Sequence, residues 1–195
     1  MLSKNQVKLI TSLSQKKHRD ETGLFVAEGT KLVLEIAHFF QIRLLVATAG
    51  WASQFESQVQ SPISIVTQDE LSKISGQKTP QGVLAVFEKN KTAFSIPEIA
   101  NSLSLALDDV QDPGNLGTII RVADWFGIRD LFCSLHCADV FGPKTVQATM
   151  GALARVRVHY IDLEAFFKQL PRPFPIYGTF MDGKNIYSET LTSHG

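Results

Sequence analysis

The chain has 195 residues, 44% of them apolar, and its 19 basic and 19 acidic side chains cancel. That length fits one large domain or two small ones, and the composition fits a soluble globular protein. No run approaches the roughly 18 apolar residues that a bilayer span needs. The N-terminus, Met-Leu-Ser-Lys-Asn-Gln, lacks the apolar core of a signal peptide, so a cytoplasmic location and no membrane partner are expected.

Zero net charge gives no sign of a nucleic-acid partner, but the local balance differs. Residues 1–43 carry seven basic side chains against four acidic ones. The cluster Lys16-Lys17-His18-Arg19 has the character of a phosphate contact. It reads equally as a solvated helix end whose cations offset the macrodipole. Cys133 and Cys137 make no disulfide framework. With His136 they offer three soft ligands and no fourth, so no metal is expected. Cys133 lies in the apolar run Leu131-Phe132-Cys133, the setting of a buried reduced thiol.

In chain order, Ser3 caps a helix expected over about residues 4–17, with Leu9, Ile10 and Leu13 on its apolar stripe. Leu24–Ala27 reads as a strand broken by Glu28-Gly29, and Lys31–Phe39 as a helix. Ile42–Ala47 is strand-like, Trp51–Val59 a weak helix and Ile63–Val66 a third strand. Thr67 and Glu70 form a capping box for a short helix over Asp69–Ile74. The turn Thr79-Pro-Gln-Gly82 leads to the strand Val83–Phe87. Strands alternating with helices imply a small α/β layer structure. Between Glu88 and Asn101 the texture turns polar. The expected division is therefore a first domain over residues 1–90, a linker over 91–101 and a second domain over 102–195.

The alternation then restarts. Strands are expected at Leu103–Leu107, Asp130–Ser134, Val156–Tyr160 and Ile176–Thr179. Helices fall between them, which suggests a parallel sheet covered on both faces. The stretch Leu107–Gly127 is the most informative. It turns through Asp112-Pro113-Gly114, opens a helix near Leu116 or Gly117 and stops at Gly127. Ligands bind at the carboxyl ends of such strands. Two polar residues sit there, Asn115 and, six positions on, Arg121. Singly they read as a helix cap and a snorkelling cation. The glycines do not complete a dinucleotide fingerprint or a phosphate loop, and no hydrolase elbow or His-Glu-x-x-His is present.

The run Asp108-Asp-Val-Gln-Asp-Pro-Gly-Asn-Leu-Gly-Thr-Ile-Ile-Arg-Val-Ala-Asp-Trp-Phe-Gly127 resembles the first signature motif of the SpoU (TrmH-like) RNA ribose 2′-O-methyltransferases of the SPOUT superfamily. Asn115, Gly117, Arg121 and Phe126-Gly127 match it position by position. Lys144–Ala152 is similar to the segment that follows in that family. Thr22–Gly29 and Thr79–Val83 are similar to its RNA substrate-binding domain. The resemblance implies a small N-terminal α/β domain like that of certain ribosomal proteins, followed by an α/β-knot domain with a parallel sheet. It also implies S-adenosylmethionine as cofactor, tRNA or rRNA as partner, and a homodimer.

The family's glycine-rich Gly-Asn-Glu loop and its last motif do not appear in the sequence. The expectation is a truncated chain that binds the methyl donor weakly, the alternative being a non-catalytic RNA-binding module. By resemblance Arg121 and Asn115 are the catalytic residues, and Thr179 and Phe180 stand where the donor pocket begins. Lys16, Lys17, Arg19 and Glu28 are the RNA-binding candidates. A guanidinium is a poor base at neutral pH. Arg121 is therefore expected to grip a phosphate bidentately and orient the 2′-hydroxyl, with Asn115 holding the arginine or the ribose.

Overall fold

The computed structural model describes residues 2–195. Two helices, α1 (Lys4–Ser12) and α2 (Lys16–Thr22), replace the single helix expected over 4–17. Ser3 and Gln6 build a full capping box at the start of α1. The helix ends where Arg19 turns back to donate to Leu13 O at 2.8 Å and Ser14 O at 2.9 Å. That guanidinium supplies the partner that the last carbonyls of a helix otherwise lack.

Next come β1 (Leu24–Glu28), α3 (Thr30–Ala37), β2 (Ile42–Thr48), α4 (Ala49–Phe55), β3 (Ile63–Val66), α5 (Gln68–Ile74) and β4 (Val83–Glu88). The strands make a mixed sheet in the order β1-β4-β2-β3, in which only β2 and β3 run parallel. Alternation along the strands sends Phe25, Ala27, Ala85 and Phe87 to one face, where α3 packs. Val26, Val46, Leu84 and Val86 face the other way, toward α1 and α5.

A one-turn helix, α6 (Ile96–Ile99), lies inside the expected linker, and Ile99 is buried. The second sheet follows as β5 (Leu105–Leu107), β6 (Asp130–Cys133) and β7 (Arg157–Tyr160), all parallel and in sequential order. Connecting them are α7 (Pro113–Trp125) and α8 (Pro143–Thr149), and α9 (Leu163–Phe167) comes last. Leu131 and Cys133 face α7 and α8, whereas Phe132 faces α6 and α9 among Ile99, Phe166 and Leu170. Helices thus cover both faces, as a parallel sheet requires.

The fourth strand expected at Ile176–Thr179 does not form, and that segment is irregular and exposed. Pro171, Pro173 and Pro175 withhold ladder donors just before it. At the outer edge of β5, Gly195 instead donates to Ser102 O at 3.2 Å and accepts from Ser104 N at 2.9 Å.

The two sheets share one core. Its buried members run from Phe25, Val33 and Phe87 of the first to Leu116, Leu131 and Val146 of the second. Phe141, just before α8, stacks obliquely on Phe25 with ring centroids 4.9 Å apart. The buried Arg19 bonds Asp139 Oδ2 at 2.6 and 3.0 Å across the same boundary.

Candidate functional site

The site is built where β5 runs into α7. Asp109 takes a positive φ of 54°, and the loop after β5 is fixed from beneath by the 134–138 turn. Asp109 N donates to Ser134 Oγ at 2.9 Å, Val110 N to Cys137 Sγ at 3.3 Å, and Ala138 N to Val110 O at 2.9 Å. Burial, with Cys137 alongside, pushes the Cys133 thiol up to about 12. Cys133 is therefore a neutral packing group beneath the loop.

The helix opens three residues earlier than the sequence suggests. Pro113 takes the first position, and Asp112 is the cap, accepting from Asn115 N at 2.7 Å. Asn115 is thus relieved of the capping role, and its side chain points to solvent at the N-terminal turn. Gly117 is buried against α8. A Cβ there would lie 2.9 Å from the Ala148 carbonyl carbon and closer still to its Cβ. The glycine lets α7 and α8 approach, which sets where Asn115 and Arg121 project. Gly127, at a φ of 71°, ends the helix in the left-handed turn that glycine adopts without strain.

Arg121 is exposed and lies in a groove of about 490 Å³ with Thr118, Val122, Trp125, Thr149 and Met150. Asn115 and Arg121 both face outward but stand about 9 Å apart along the helix axis, at 1.5 Å per residue. No hydrogen bond joins them among the described residues, so Asn115 does not hold the arginine within one chain. Arg155, also in this groove, pairs with Asp124 at 2.7 Å and with Glu35 of α3. The two carboxylates, Asp124 first, push its guanidinium still higher.

The remaining expected site residues separate into two groups. Lys16 and Lys17 are exposed, Lys17 lying 3.9 Å from Glu21. Arg19 is only 4% exposed and spent on Asp139 and the end of α1, so no RNA phosphate reaches it. Glu28 is buried and accepts from Ser75 Oγ and, at 2.8 Å, from Gly76 N. A buried carboxylate holding a loop takes no part in direct RNA contact. Thr179 and Phe180 lie exposed in the irregular C-terminal segment and do not line the Arg121 groove. They do not by themselves make a donor pocket.

Sequence reasoning missed Arg155 and Gln77, which tie the sheets together. Gln77 Nε2 donates to Gln147 Oε1 on α8 at 3.0 Å. Neither residue carries a local signal, because each acts on a partner far along the chain.

Residues 102–194 match the SpoU rRNA Methylase family, and residues 4–85 match the MRM3-like substrate binding domain. The chain is 31% identical over 196 residues to the 23S rRNA (guanosine(2553)-2'-O)-methyltransferase RlmP of Bacillus subtilis, covering 96% of this chain and 75% of that one. The chain belongs to the SpoU family. A TrmH-family structure from Porphyromonas gingivalis is 41% identical, with a TM-score of 0.85 over 98% of this chain and 76% of its own. An AdoMet-bound rRNA methyltransferase from Sinorhizobium meliloti is 34% identical, with a TM-score of 0.73 over 86% of this chain and 66% of its own. Longer relatives exist, and the chain spans 39% of rRNA methyltransferase 3 of Xenopus tropicalis. The SpoU proteins are RNA 2′-O-methyltransferases whose methyl donor is S-adenosylmethionine, and the α/β fold with its parallel sheet is theirs.

Proposed function

We propose that the whole protein methylates a ribose 2′-hydroxyl of ribosomal RNA, with Asn115 and Arg121 on the RNA side of the reaction. The observation that carries this reading is an exposed guanidinium that has no carboxylate partner among the described residues, on a helix whose position is fixed by Gly117 and the capped Asp112 turn. When bound, S-adenosylmethionine supplies an electrophilic methyl group on a good leaving group. The protein's task is then to aim the hydroxyl and give its proton somewhere to go.

An exposed arginine stays protonated near neutrality, so Arg121 serves as a bidentate clamp on the phosphate beside the target ribose. The phosphate so held is the group nearest the hydroxyl proton. Asn115, at the helix N-terminus, offers both a donor and an acceptor to the ribose. A hydroxyl at the 2′ position is also what separates RNA from DNA at such a site.

Arg121→Ala is expected to lower methyl transfer to rRNA by about a hundredfold. The circular dichroism spectrum and melting temperature should stay at wild-type values, since the side chain is exposed. Full activity in this variant would sink the assigned role.

The same reading carries finer statements. The chain divides into an RNA-binding part over 1–90, a connection over 91–101 and a methyltransferase part from 102 onward that belongs to a knotted domain. Two copies pair in the cytoplasm. A monomer mass by sedimentation at micromolar concentration would refute the pairing. Among the described residues no helix is long and apolar enough to cross a membrane.

A further inference from the structure

Four contacts lay out a continuous path from the first sheet to the Arg121 groove. Gln81 Oε1 sits over Gly29, where a Cβ would be 3.1 Å away, which places the 75–82 loop against the start of α3 and Lys31. Gln77, in the same loop, bonds Gln147 on α8. Lys144 precedes Gln147 by three residues and shares its exposed face of the helix. Met150 then closes α8, its N–H donating to Gln147 O, and lines the groove with Arg121.

Charge along this path is one-sided. Three carboxylates beside it are answered within the protein: Glu28 by Ser75 and Gly76, Glu35 and Asp124 by Arg155. Lys31, Lys78, Lys144 and Arg121 have no carboxylate within 4.0 Å among the described residues. By contrast, the α2 cluster is partly neutralised, with Lys17 and His18 on Glu21 and Arg19 on Asp139.

We propose that Lys31, Lys78, Gln81 and Lys144 form a track for the ribose-phosphate backbone of single-stranded RNA, leading from the 75–82 loop across α8 to Arg121. Buried Glu28 is a positioning residue for the track, because it fixes the loop without touching RNA. A single strand fits better than a duplex. Trp125 and Phe126 beside Arg121 present exposed rings on which an unpaired base stacks, a contact that a base within a helix cannot make. The proposal rests on the reading of this protein as an RNA methyltransferase.

The test is fluorescence anisotropy of a labelled oligouridylate against the full chain across a series of salt concentrations. Each backbone phosphate contact on a single strand contributes about 0.7 to the slope of log K against log salt. The variant K31A/K78A/K144A is expected to lower that slope by about 2. The control K4A/K8A/K16A, on the helical face of α1 and α2, should leave it unchanged. All six lysines are exposed, so both variants keep the fold.

A slope lowered by the control and untouched by the track variant overturns the track while leaving RNA binding intact. Equal affinity for a blunt duplex of the same length overturns the single-strand assignment. Absence of RNA binding by the wild-type chain overturns both the track and the methyltransferase reading on which it rests.

Discussion

At the scale of single residues, the buried thiol beneath the site loop has a measurable signature. Cys133 titrates ordinarily at 9.0 and is pushed up to about 12 in the folded chain, burial being the larger cause and Cys137 the second. Burial raises Tyr160 in the same sense, while its hydroxyl donates to Ala138 O and accepts from Val140 N. An acid whose folded pKa is raised holds its proton longer when folded. Its contribution to stability is full below the unfolded value and is lost as pH climbs through the folded one. Unfolding free energy from denaturant melts is therefore expected to fall between pH 9.0 and about 12. Cys133→Ala should make that fall shallower, and an unchanged slope would exclude the thiol as its source. Residue scale is also where the sequence was most and least legible. Asn115, Gly117 and Arg121 stood out because a motif places them within a few positions of one another. Arg19 and Glu28 are the least legible, because each is buried and paired inside the fold. The partner of Arg19 lies 120 positions along the chain and that of Glu28 47 to 48 positions along, and no local pattern reports such pairings.

At the scale of elements, most helices and strands announced themselves by period and cap, as in the Thr67–Glu70 box of α5. Failures came where tertiary contacts overrode the local pattern. The expected 4–17 helix splits because Arg19 returns to cap it. A strand expected at 176–179 has residues of strand character but no partner to pair with. The helix α2 depends on its long-range ion pair, and this gives a prediction. Asp139→Ala would leave the 4%-exposed guanidinium of Arg19 without its counter-charge. Stranding a buried ion costs about 3–5 kcal/mol. A loss of about 1 kcal/mol or less in a urea melt would mean that the Leu13 and Ser14 carbonyls suffice to hold the charge.

For the molecule as a whole, the sequence suggested two domains joined by a linker, and the packing shows how closely their cores are joined. One continuous cluster of buried side chains reaches from Phe25 to Val146. Three polar ties reinforce it: Arg19 to Asp139, Gln77 to Gln147, and Arg155 bridging Glu35 to Asp124. Calorimetry is expected to record a single endotherm with equal calorimetric and van't Hoff enthalpies. Two resolved transitions would show the halves unfolding independently. The shared core has a consequence for choosing a substrate. The 75–82 loop and Arg121, the two ends of the proposed RNA track, are parts of one packed body, so on that proposal the span between them does not stretch to suit a different molecule. The protein would then act as a gauge. An RNA qualifies only when the number of nucleotides between its recognised stretch and its target ribose matches that span. Insertion of one nucleotide between them shifts the modification to a neighbour or abolishes it.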